Sequence, residues 1–126
     1  MVNNVENEMN KWDELSLKER QIENQLDETA QTKRIVQRME ETYQELFYEG
    51  NQLIQRFETF VGDAEGNYLA EELHWQTKQK QQAIFYQLED EKERLHKESR
   101  QLEDEKDHLY YEKKKVLIEM EDEDER

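Results

Sequence analysis

The chain has no cysteine, no proline and only three glycines in 126 residues. Without cysteine there is no disulfide framework and no thiol nucleophile. Without proline, and with glycine this rare, little interrupts long stretches of helix. Apolar residues are scarce as well. Ala, Val, Ile, Leu, Met, Phe, Trp and Tyr together make up 33%, and no run approaches the roughly 18 apolar residues of a membrane-spanning helix. Positive charge is the minority: 18 Lys and Arg stand against 33 Asp and Glu, a formal net charge of −15. Nucleic-acid affinity rests on cations that neutralise phosphates, so DNA and RNA are expected to be repelled. Anionic lipid is repelled for the same reason. The first ten residues are polar and acidic, with no apolar segment of a cleaved secretion signal. The expectation is a cytoplasmic protein, or one exported with a cargo by a route that needs no such signal.

What is present is charge and good helix formers. Charged residues make up 40%, and Glu, Gln, Lys, Leu and Arg dominate. So polar a chain is either disordered or a long thin helix pair, which needs only a stripe of apolar residues. The 10% aromatic content argues for the helix pair.

One strong punctuation interrupts the chain. Gly62-Asp63-Ala64-Glu65-Gly66-Asn67 holds two of the three glycines almost at mid-chain. Gly62 suits the left-handed position that ends a helix, and Asn67 or Asp63 can cap the next one. The spacing predicts a single all-α hairpin, elongated and coiled-coil-like. Its parts are a helix over about 3–61, a turn at 62–66 with Gly62 and Gly66, and an antiparallel helix over about 67–121. An acidic tail over 119–126 opposes the helix dipole and is expected to fray.

Heptad lines support the hairpin. Leu15, Ile22, Thr29, Val36, Tyr43, Gly50 and Phe57 lie seven apart in the first helix, and Met39, Leu46, Leu53 and Phe60 form a second line three residues further on. Read as a and d positions, these two lines are the expected seam. In the second helix Leu88, Leu95, Leu102, Leu109 and Val116 repeat at the same spacing, and Gln87-Leu88-Glu89-Asp90-Glu91-Lys92 recurs two heptads on at Gln101–Lys106. Folding at the turn sets Ile22 near Leu109 and Tyr43 near Gln87.

Apolar residues are then left over. A two-helix hairpin has one internal seam, so a third line on the first helix (Phe47, Ile54 and Val61) has nothing to cover it. Trp75, Phe85 and Tyr86 on the second helix are in the same position. Exposed apolar surface of this extent marks an interface. Phe47, Ile54, Trp75, Phe85, Tyr86 and, nearer the end, Leu117 are the candidate partner-binding residues. Gly50, inside a helix, reads as a point of close approach to a bulky side chain, Trp75 or a residue of a partner, or as a kink.

Chemistry is sparse. Glu71-x-x-His74 is half of a di-iron helix motif, but no second Glu-x-x-His exists. No phosphate loop, calcium loop or nucleophile–base pair is visible. The expectation is a protein that is not an enzyme and needs no cofactor or metal.

Certain segments carry a resemblance. Ile84-Phe85-Tyr86-Gln87-Leu88-Glu89-Asp90-Glu91, the stretch Leu102-Glu103-Asp104-Glu105-Lys106-Asp107-His108-Leu109-Tyr110-Tyr111-Glu112-Lys113-Lys114, and Glu45-Leu46-Phe47-Tyr48 before the turn resemble the LXG-associated α-helical (Lap) proteins. These are the targeting factors of type VII secretion in Gram-positive bacteria, and the likeness is to their second class. The Trp-x-Gly signature of other small type VII proteins is missing: neither Trp12 nor Trp75 has Gly two residues on. The resemblance implies a chaperone or targeting factor that binds the helical N-terminal LXG domain of a cognate toxin and promotes its export, beside a second small helical factor. Two alternatives stand next to it. The chain is a self-associating coiled-coil protein that forms a homodimer, or an acidic mimic of DNA.

Overall fold

A computed structural model describes residues 4–124. Two helices, α1 (Asn4–Val61) and α2 (Ala64–Asp124), pack as an antiparallel hairpin, and no strand is present among the described residues. The fold is all-α, as the composition and heptad lines require.

The turn is tighter than the glycine spacing suggested. Only Gly62 and Asp63 lie between the helices. Gly62 has φ of 60° and donates its N–H to the Glu58 carbonyl at 3.3 Å, which closes α1 with a left-handed residue. Asp63, not Asn67, caps α2: its Oδ1 accepts the Gly66 N–H at 2.6 Å, and its carbonyl accepts the Asn67 N–H at 3.0 Å. Gly66 therefore lies in the opening turn of α2 and not in the loop. It is buried, and a Cβ there would sit 2.7 Å from Val61 Cβ and 2.9 Å from Asp63 Oδ1. Glycine is needed at this point for space, not for φ.

At the other end α2 runs on to Asp124, past the expected stop at 121 and without a basic residue in its last turn. Dipole opposition of about 0.3–1 kcal/mol per charge is not enough to end a helix built of Glu, Met and Leu. Glu125 and Arg126 lie outside the described residues, as does Asn3.

The chain divides into two compact units. The first joins residues 1–31 to 95–126, and the second is the continuous segment Thr32–Arg94, which contains the turn. In the first unit Ile22, Leu102 and Leu109 form a buried cluster flanked by Leu15 and Leu26, so Ile22 meets Leu109 in the expected register. Leu95 and Val116 are buried in the same unit. Thr29 occupies a buried seam position there because its hydroxyl donates to the Gln25 carbonyl at 2.8 Å. In the second unit the buried apolar side chains are those of Val36, Ala70 and Leu88.

Candidate partner-binding face

The face is defined by which apolar residues the seam of the second unit takes in and which it leaves out. One line of α1 is as expected as far as Gly50: Val36 is buried, and Tyr43 and Gly50 are half-buried, but Phe57 at its end is exposed. The other seam line lies four residues on, not three. Glu40, Phe47, Ile54 and Val61 are all half-buried. The Phe47 ring packs on Phe85 of α2, centroids 6.0 Å apart and tilted by 55°, and Tyr43 stacks on Phe47 at 6.2 Å. Phe47 and Phe85 are thus part of the hairpin's own seam, and Ile54 is half-buried. All three are less exposed than a surplus apolar line implies.

The displaced line is the exposed one. Met39, Leu46, Leu53 and Phe60 are 42%, 55%, 63% and 90% accessible, the reverse of the d-type burial their spacing suggested. The physical reason is that positions three and four residues beyond an a position both border it, and one partner helix covers only one of the two. In this chain α2 presents Phe85 opposite Phe47 and Lys92 opposite Glu40, so the second of the two lines turns inward. Ile35, also exposed, lies one turn before Met39, and with Arg38, Thr42, Tyr43 and Leu46 the pair lines a shallow groove on the outer face.

The remaining candidates are at the surface. Trp75 is 60% and Tyr86 70% accessible, both in the second unit, and Leu117, in the first, is 44% accessible. Ile118, Tyr110 and Tyr111 are exposed near Leu117, the two tyrosine rings meeting edge to face at 5.8 Å. Phe60 and Tyr68 add exposed aromatic surface on either side of the turn. The heptad spacing of Met39, Leu46, Leu53 and Phe60 was the signal for the exposed stripe, but spacing alone assigned it to the wrong face.

Gly50 approaches nothing. A Cβ built there meets no atom within 4 Å, so a close approach by Trp75 is ruled out.

Charges pair across each seam with one polarity, carboxylates on α1 and cations on α2. In the second unit Lys92 pairs with Glu40 and also reaches Glu89, at 3.3 Å. The Glu40 hydrogen bond, with help from Glu89, holds the Lys92 ammonium above the ordinary lysine range. Glu91, hydrogen-bonded to Arg94, is held below the usual carboxylate range. His74 Nε2, from the half-motif Glu71-x-x-His74, lies 3.8 Å from Glu58 of α1 near the turn. In the first unit Lys113 sits 3.4 Å from Glu19 and 4.2 Å from the Trp12 ring centroid. Among the described residues no three His, Asp or Glu side chains converge as a metal site, and no helix is long and apolar enough to cross a membrane.

A family model described as "Protein of unknown function (DUF3958)" matches residues 10–116. No curated protein and no solved structure matches the chain.

Proposed function

The chain belongs to the DUF3958 family, and we propose that it works by binding another helical protein, not by catalysis. The observation behind this reading is the heptad stripe Met39, Leu46, Leu53 and Phe60, left uncovered by a hairpin that already fills its seam. Fully burying such side chains is worth about 1.5–3 kcal/mol each. A heptad stripe on a helix is also the surface on which another amphipathic helix docks. Trp75 and Tyr86 extend the exposed apolar surface with the residue types that anchor interfaces.

The partner we favour is the helical N-terminal LXG domain of a toxin, with this chain as its targeting factor for type VII secretion. The support is the resemblance of the segments at residues 45–48, 84–91 and 102–114 to Lap proteins of the second class. In that role the chain meets its cargo in the cytoplasm, beside a second small helical factor, and either stays behind or leaves with the toxin.

Co-expression with the N-terminal domain of an LXG toxin encoded beside it tests the reading. A stable complex is expected. Leu46→Asp, Leu53→Asp and Trp75→Asp should each weaken it at least tenfold while circular dichroism stays helical. A complex indifferent to all three substitutions overturns the assigned face, and the absence of any complex overturns the cargo.

A further inference from the structure

The uncovered stripe is complementary to itself. Met39 and Leu46 lie seven residues apart on the outer face of α1, with Ile35 before them and Leu53 after. Arg38 lines the groove between Ile35 and Leu46, and Glu45 follows it seven residues on along the same edge of the stripe. Both are exposed, and neither forms an ion pair with a described residue of its own chain. Arg34 and Glu49 are exposed and unpaired in the same way.

Opposite charges at heptad spacing beside an apolar line are what an antiparallel copy of the same helix requires. A two-fold axis crossing α1 next to Thr42 places Arg38 against Glu45 of a second copy, and Glu45 against its Arg38. The same axis, between Glu41 and Thr42, brings Arg34 level with Glu49 and sets Met39 about 3 Å along the helix from Leu46 of the second copy, twice. In an isologous contact every favourable pair occurs twice.

We propose that the outer face of α1 from Ile35 to Leu53 is the interface of an antiparallel homodimer, two hairpins joined through α1. The net charge of −15 would by itself select a basic partner. The stripe argues otherwise, because its edges carry both signs: Arg34 and Arg38, then Glu41, Glu45 and Glu49. The homodimer covers surface that a cargo would use, so it is the state of the chain without cargo. It needs no toxin and does not depend on the cargo reading.

Sedimentation equilibrium on the purified chain tests it. The wild type should dimerise at micromolar concentration. Arg38→Glu and Glu45→Arg should each raise the dissociation constant about tenfold or more, because each places like charges face to face twice. An equimolar mixture of the two variants should recover the dimer, and so should the double variant, since every reversed charge then meets its opposite. A wild type that stays monomeric overturns the proposal. So does a dimer that tolerates both single reversals, or a mixture that fails to recover pairing while both variants remain helical. A monomer that still binds an LXG domain would remove the homodimer and leave the cargo reading standing.

Discussion

At the residue scale the three glycines have three different reasons, and the structure assigns each a different response to substitution. Gly66→Ala forces a methyl group into Val61 and the Asp63 cap, so it should destabilise by about 1–3 kcal/mol, the range for overpacking. Gly50→Ala should stabilise by about 1 kcal/mol, because helix propensity improves and nothing stands in the way. Gly62→Ala falls between them, costing about 1–2 kcal/mol for a left-handed backbone. Urea unfolding of the three variants orders them. If Gly50→Ala destabilises, the open space at that position is wrong. The sequence marked Gly62 correctly as a helix terminator, since a chain that reverses needs a left-handed residue somewhere. It placed Gly66 in a loop because glycine's role as spacer beside Val61 depends on the approach of two helices, which no local pattern encodes.

At the element scale the two heptad lines of α1 separate stability from binding. Phe47 is half-buried against Phe85, so Phe47→Ala should cost about 1–3 kcal/mol of stability, part of the loss expected for a fully buried ring. Leu46→Ala, one residue away and exposed, should change the stability of the monomeric hairpin, measured below micromolar concentration, by less than about 0.5 kcal/mol. Thermal unfolding followed by circular dichroism distinguishes them, and equal effects would mean that the seam is misassigned. Ion pairing across the same seam sets a pH dependence. The raised Lys92 pKa means that the folded state holds this proton more tightly than the unfolded chain. Its stabilisation is therefore present below about 10.5 and lost as pH rises through the higher folded value. Glu91 has the opposite sign: its contribution is present above 4.5 and fades as pH falls through the lowered folded value. Lys92→Met should accordingly flatten the alkaline limb of the stability profile relative to wild type, as read by urea unfolding between about pH 8 and 12.

At the scale of the whole molecule charge dominates. A net charge of −15 on 126 residues opposes any compact or associated state through self-repulsion, and salt screens that repulsion over about 10 Å at 0.1 M. The melting temperature should therefore rise between low salt and about 0.15 M, measured at pH 7 by calorimetry. A fall would mean that the cross-seam pairs, Glu19 with Lys113 and Glu40 with Lys92, outweigh the repulsion between like charges. Near the isoelectric point of about 4.6 the repulsion disappears, and the exposed stripe from Met39 to Phe60 should drive association.

The sequence alone determined that the chain is helical, that it reverses near Gly62, and that Leu88, Leu95, Leu102, Leu109 and Val116 face inward. Those features follow from helix propensity, a forced left-handed residue and a seven-residue period with no competing line beside it. On α1 from Val36 onward two apolar lines compete, Met39 to Phe60 at three residues and Phe47 to Val61 at four. Both border the same a positions, so periodicity cannot rank them. Only the tertiary structure made the choice, through Phe85 meeting Phe47 and Lys92 meeting Glu40. One helix can cover one of two adjacent lines, and the side chains opposite decide which, leaving the other line exposed for a partner.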